Sequence, residues 1–278
     1  MPTALAIAAH PDDIEFCMAG TLLQLAARGW EIHFCNLSSG NLGSASIPGP
    51  RLATIRRRES QAAARALGAV WHPPIARDLE IFYNDDLLRR VAAIVRRVRP
   101  QAILTHSPQD YMEDHMNTSS LAVTAAFARG TPNYRTHPTV AHHAGNVTVY
   151  HALPHGLHDG LGQRIEAGFY VDTTEVHARK RTALACHLSQ KEWLDHSQGM
   201  DSYLVAMDTF SAEVGSLSGR FVHAEGWRRH SHLGFCGPTE DPIREVLEPA
   251  GTFRLHEATD AQKQAPALQA PKRSVPRA

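Results

Sequence analysis

The run Ala4-Leu5-Ala6-Ile7-Ala8, followed at once by Ala9-His10-Pro11-Asp12-Asp13, decides how the rest of the chain reads. Small and aliphatic residues that stop abruptly at a histidine and two carboxylates describe a buried parallel strand. Such a strand hands its polar groups to its C-terminal end, where open α/β sheets place their sites. His10 with a nearby carboxylate suits a divalent transition metal, and the second carboxylate can act as a base. A metal site of that kind needs one more ligand from elsewhere in the chain.

Outward from this point, apolar residues at 14, 18, 22, 23, 25 and 26 keep a helical period up to a stop at Gly29, so a helix over 14–28 packs on the sheet. Glu31 to Leu37 alternates as a second strand, and the Ser-, Gly- and Pro-rich 38–50 is a loop at its C-terminal end, near the site. Leu52, Ile55, Ala62, Ala63, Ala66 and Leu67 mark a helix closed by Gly68. It carries Arg56-Arg57-Arg58-Glu59. A run of arginines is ordinarily a solvated helix face, yet one of them, with Arg56 the first choice, can reach a substrate.

Ala69 to His72 is a short strand, and Leu87, Leu88, Val91, Ile94, Val95 and Val98 form a helix that Pro100 ends. Gln101 to Thr105 is the next strand, and it runs into a polar stretch from His106 to Asp114-His115. Strands of one parallel sheet present their C-terminal ends on one edge, so the missing ligand can come from here. A helix over 115–129 follows. The stretch 130–168 is irregular apart from a strand over 146–151, and its histidines at 137, 142, 143, 151, 155 and 158 share no ligand spacing and read as loop or surface residues.

Tyr170-Val171-Asp172 closes a further strand, and Asp172-Thr173-Thr174-Glu175 reads as a capping box for the next helix. Tyr203, Met207, Phe210 and Val214 read as the packing face of another helix, and Phe221 to His232 as a last strand containing Glu225, His230 and His232. From about His256 the periodicity disappears, which predicts a disordered tail over 256–278 behind one domain over 1–255. The fold expected is α/β in three layers, a Rossmann-like, mostly parallel sheet with helices on both faces.

Composition narrows the function. The 278 residues are 43% hydrophobic, and 28 basic side chains cancel 28 acidic ones, so nothing favours nucleic acid or an anionic membrane surface. A small-molecule substrate fits better, and a homo-oligomer stays open. The first residues lack a basic segment and a long apolar run, which predicts a cytoplasmic protein. Cys17, Cys35, Cys186 and Cys236 are isolated, without a C-x-x-C, and read as reduced thiols.

Taken together, Ala9-His10-Pro11-Asp12-Asp13 with Gly20-Thr21-Leu22 behind it, Leu37-Ser38-Ser39-Gly40, Arg56-x-x-Glu59 before Gly68, and Asp114-His115 resemble the LmbE/PIG-L family of zinc-dependent N-deacetylases. The likeness is clear over residues 3–129 and looser at Ser189-Gln190 and Ala224-Glu225-Gly226. It implies zinc held by His10, Asp13 and His115, Asp12 as general base, and Asp114 as the acid that orients a neighbouring imidazole. The reaction implied is removal of an N-acetyl or other N-acyl group from an N-acetylglucosamine-type conjugate by zinc-activated water. Two neutral imidazoles and one carboxylate do leave an open position on Zn²⁺, where water reaches a pKa near ~7.

One departure from the family matters: Met112 stands where many members have a histidine that stabilises the tetrahedral intermediate or protonates the leaving amine. His232, and after it His230, are the replacements expected, since alternate positions on a strand point to one face. Two other readings use the same residues. Two histidines and a carboxylate also describe the iron site of non-haem oxygenases, and Met112 leaves room for a sugar-binding relative without catalysis. The alternation of strands with long helices weighs against the first, and the retained Asp12 against the second.

Overall fold

The computed structural model describes residues 1–191 and 203–256. The tail expected over 256–278 therefore lies, from 257 on, outside the described residues. Strand β1 (Thr3–Ala8) shows how the sequence builds two cores at once. Its Ala4, Ala6 and Ala8 face one hydrophobic cluster, while Leu5, Ile7 and the following Ala9 face the other, and all are fully buried. Each large aliphatic side chain buried this way contributes about 1.5–3 kcal/mol.

Alongside β1 lie β2 (Glu31–Asn36) and β4 (Ala102–Thr105), both parallel to it, with β3 (Val70–His72) beyond β2 and β5 (Thr148–Ala152) beyond β4. The single sheet is extended by β6 (Phe169–Asp172), β7 (Ala224–Arg229) and β8 (Phe253–Leu255) in the order β3-β2-β1-β4-β5-β7-β6-β8. The first five strands are parallel, and the pairings of β7 with β5 and β6, and of β6 with β8, are antiparallel. The order reverses between β1 and β4. In such sheets the loops after the two diverging strands leave a crevice at their C-terminal ends, the usual place for a site.

Helices cover both faces, as expected. On one side α1 (Asp13–Cys17), α2 (Ala19–Ala26), α3 (Gly49–Leu67), α6 (His177–Leu184) and α8 (Pro242–Leu247) contribute to the first cluster. On the other, α4 (Asp85–Val98) and α5 (Glu113–Ala128) supply the second. Helix α7 (Tyr203–Leu217) builds a third cluster with Phe16, Leu153 and Leu157. No helix among the described residues is long and apolar enough to cross a membrane.

Three local expectations need correction. The helix read over 14–28 is two helices broken at Met18, because Glu225 reaches across from β7 to accept the amides of Gly20 and Thr21 at 2.8 and 2.7 Å and so caps α2. Lys180 donates to the same carboxylate at 2.8 Å, and both side chains are buried. Breaking one partner of such a pair costs about 3–5 kcal/mol, so Glu225 belongs to the frame. Gly20 is required there, since a Cβ would sit 2.3 Å from Thr173 Cγ2. The capping box is not closed either: Asp172 Oδ1 accepts the Thr174 amide at 2.9 Å and starts a 3₁₀ turn over Thr174–Val176 ahead of α6. The strand read from Phe221 to His232 is confined to Ala224–Arg229.

Candidate active site

The residues singled out after β1 and β4 meet at this switch point. They line a cavity of about 410 Å³ whose floor holds His10, Asp12, Asp13, His106, Asp110 and His115. Asp13 is the hub. Its Oδ2 accepts the His10 amide at 2.7 Å and lies 3.4 Å from His10 Nδ1, 3.5 Å from His115 Nε2 and 3.2 Å from His106 Nε2.

Both outer imidazoles are held from behind by a carboxylate. His10 Nε2 is 3.0 Å from Asp114 Oδ2, which also accepts the Leu79 amide at 2.7 Å. His115 Nδ1 is 3.0 Å from Asp110 Oδ1. Donation of those ring hydrogens to carboxylates fixes the tautomers and turns the lone pairs of His10 Nδ1 and His115 Nε2 toward Asp13, an arrangement typical of metal-ligating histidines. His115 Nε2 is buried and has no hydrogen-bond partner among the described residues.

Electrostatics agree. Burial alone pulls both imidazoles down, but the hydrogen bond to Asp114 and the charge of Asp13 lift His10 to about 10, and Asp13 with Asp110 lifts His115 to about 9. Against its own burial, Asp13 is held well below the usual carboxylate range by His115 and His106. The floor thus demands positive charge, which a divalent cation supplies as well as protons do. His106 is not free to join: its Nε2 accepts the Ala9 amide at 3.0 Å, and its ring stacks on His115 with centroids 4.0 Å apart.

Asp12 occupies the cap position of α1, but its side chain makes no capping bond. Its backbone is in the left-handed region at φ 109°, a strained conformation for a residue with a Cβ. The carboxylate instead accepts Tyr203 Oη at 2.6 Å and lies 3.6 Å from Arg56 Nη2. Burial pushes it up, Arg56 opposes, and the balance leaves Asp12 at about 6. Of the arginine run, Arg57 and Arg58 are exposed while Arg56 is buried, donating to the Pro11 carbonyl at 2.5 Å. Gly40, at φ 71°, makes the room: a Cβ there would meet Arg56 Nε at 2.6 Å.

The structure does not bring His230 or His232 to the cavity. β7 ends at Arg229, so the alternation argument fails beyond it, and the His232 carbonyl accepts the Phe235 and Cys236 amides in a turn. His230 Nδ1 pairs with His151 Nε2 at 3.0 Å, and His151 is itself buried against the His106 carbonyl at 2.8 Å. His151 is thus no surface residue. Neither is His155 remote from the chemistry: it lines the cavity, as Met112 does, with its ring edge-on to Phe16 at 4.9 Å.

Sequence reasoning also missed Tyr203, Asp110 and the buried pair of His187 and Glu15, whose Nε2 to Oε1 distance is 2.6 Å across 172 residues. For Tyr203 a signal existed, since a tyrosine on an apolar helix face needs a partner for its hydroxyl. The looser motif at 189–190 has a plain role: Ser189 binds the Glu59 carboxylate through its amide and hydroxyl, at 3.0 and 2.6 Å.

A switch-point crevice holding a carboxylate-backed His-Asp-His set beside a buried acid defines a class, the α/β-sheet enzymes, here with a candidate metal site. The comparisons narrow it. Residues 5–126 match the family model described as PIG-L, GlcNAc-PI de-N-acetylase, and this part of the chain is similar to that LmbE-like family. The chain is 26% identical over 193 residues to a diacetylchitobiose deacetylase of Thermococcus kodakarensis, covering 67% of this chain and 69% of the relative. It is 28% identical over 197 residues to a 4-oxalmesaconate hydratase of Pseudomonas putida, covering 68% and 74%. The structure of N,N'-diacetylchitobiose deacetylase from Pyrococcus horikoshii matches with a TM-score of 0.68 at 24% identity, over 83% of this chain and 84% of that one.

Proposed function

We propose that the protein is a zinc-dependent amidohydrolase that removes an N-acyl group, acetyl first, from an N-acetylglucosamine-type conjugate. The observation that carries this reading is the convergence of His10 Nδ1 and His115 Nε2 on Asp13, the latter nitrogen buried without a partner among the described residues. Nitrogen and oxygen donors in that number fit zinc with an open position. The chemistry the metal supplies when bound is Lewis acidity, which polarises the acyl oxygen and makes water a nucleophile at neutral pH.

The remaining work falls to side chains of this protein. Asp12 takes the proton of the attacking water and returns it to the leaving amine, held in place by Tyr203 and Arg56. His155 takes the role that Met112 leaves empty. Although His155 is partly open to solvent, desolvation of its ring against Phe16 and Phe210 holds its pKa below the ordinary imidazole value, which leaves a neutral N–H donor suited to a developing oxyanion. His155→Phe is expected to lower kcat about 10²-fold or more with zinc content intact; parental turnover would return the role to another group.

Hydration of an unsaturated acid, the reaction named for the Pseudomonas relative, is the second reading, since the two likenesses are of similar strength. The cavity argues against it. Its lining carries Asp12, Asp13, Asp78 and Asp110 against a single arginine, Arg56, already engaged with Pro11 and Asp12. Beyond the metal itself, a polycarboxylate would find no uncommitted arginine or lysine in that lining among the described residues. Zinc-loaded protein is expected to release acetate from N-acetylglucosamine conjugates. Absence of acetate across such a panel, with water addition to an unsaturated dicarboxylate, would replace this reading by the second.

A further inference from the structure

The rim of the cavity is chemically unlike its floor. Leu79 is 63% exposed, Tyr111 52% and Leu42 46%, and with Met112 they surround the opening above the candidate ligands. Solvent-exposed leucines are common singly, but these are held in place by a network of hydrogen bonds. The Asp78 carboxylate accepts the amides of Gly40 and Leu42 at 2.7 and 2.8 Å, and Asn41 Oδ1 accepts the Asp78 amide at 3.0 Å, so the two loops are clasped together. Tyr111 stands edge-on to the His115 ring with centroids 5.6 Å apart.

Leu79 carries the second, independent observation. Its backbone is left-handed at φ 62°, a conformation that glycine or asparagine adopts cheaply and a leucine does not. The amide alone explains the turn, because it donates to Asp114, the carboxylate behind His10. It does not explain a leucine. A strained residue whose large apolar side chain projects into the mouth of a site points to a contact made there. Polar side chains beside it are committed elsewhere, Asp78 to the loop amides and Asp110 to His115 and the Met112 amide. Hydroxyl groups of a free sugar or a longer oligosaccharide would meet leucine and methionine at this rim.

Building on the deacetylase reading, we propose that the amino-sugar unit carries an apolar aglycone, alkyl or aryl, which lies on Leu42, Leu79, Tyr111 and Met112 while the N-acyl group reaches the floor. The exposed residues form the outer opening, and the buried Phe16 and Tyr203 the inner wall, so the larger, amine-bearing part of the substrate occupies the rim.

The test uses hexyl and methyl β-glycosides of glucosamine, which carry no acyl group and report binding without turnover. Calorimetry on zinc-loaded protein is expected to show the hexyl glycoside binding at least about tenfold more tightly than the methyl one. Leu79→Asn suits the left-handed backbone and keeps the amide on Asp114, and should narrow that ratio to about threefold or less. Equal affinities in the parent, or a ratio indifferent to Leu79→Asn, overturn the proposal. Acetate release from methyl N-acetylglucosaminide, measured in parallel, reports on deacetylation alone. Its absence with the binding ratio intact would sink the activity and leave the apolar rim standing; its presence with equal affinities would do the reverse.

Discussion

His115→Ala is expected to lose metal and activity together. Among the candidate ligands, His115 supplies the one buried imidazole nitrogen that has no partner among the described residues, aimed at Asp13 from 3.5 Å. Its ring cannot turn away, because Asp110 holds Nδ1 and the His106 ring lies flat against it, 6° from parallel. Removing an outer partner of a metal-ligating histidine already costs about 10–100-fold in affinity, so removal of the ligand itself should exceed that range. Elemental analysis after dialysis should fall from about one zinc per chain, the stoichiometry expected of a three-ligand catalytic site, to near zero. Acetate release should fall with it. A variant that kept both would direct attention to His106, whose Nε2 is 3.2 Å from Asp13 Oδ2 and which would have to give up the Ala9 amide to bind.

Asp12→Asn should separate the base from the ligands. The amide oxygen can still accept the Tyr203 hydroxyl, so fold and zinc content are expected to survive, while kcat falls by about 10²-fold or more. The pH profile gives the sharper check. A base works only when deprotonated, and Asp12, raised by burial to about 6, is deprotonated above that value and protonated below it. Parent activity should therefore be present above about pH 6 and disappear as pH falls through it, and the variant should lack that limb. Zinc loss in the variant would make Asp12 a ligand, and a retained acid limb would assign the titration to another group.

Two features of the architecture bear on these expectations. The polar network behind the floor is deep: the His187 and Glu15 pair is fully buried, and the Glu15 carboxylate lifts His187 although burial pulls it down. Besides the adjacent Asp13, the surroundings of Asp12 are thus set by groups from three parts of the chain, Arg56 on α3, His187 after α6 and Tyr203 on α7. A substitution in any of them acts on the acid through a low-dielectric interior, where such effects are larger than at a surface. The iron-oxygenase alternative is weakened by the fold itself, an LmbE-like three-layer sheet.

The local sequence was enough for the central strand and for the polar cluster that ends it. Ala4 to Ala8 are buried on both faces, so an unbroken apolar run was the right signal, and the abrupt change at His10 marked the end of the strand. The parallel alternation with β4 then made the meeting of residues near 10 and near 115 a matter of topology. Beyond that, patterns of period two or 3.6 carry no information about which carboxylate faces which nitrogen. Asp12 looked the same as a helix cap and as a base; the positive φ and a tyrosine 191 residues away decided against capping. His230 and His232 obeyed strand alternation on paper, but β7 stops at Arg229, where the chain leaves the ladder and the rule lapses. Glu225, in the looser family-like segment, is the cap of α2, since buried amides at a helix start must find an acceptor. Those assignments depend on contacts between groups far apart in the chain, whose geometry exists only once the sheet has closed around the crevice.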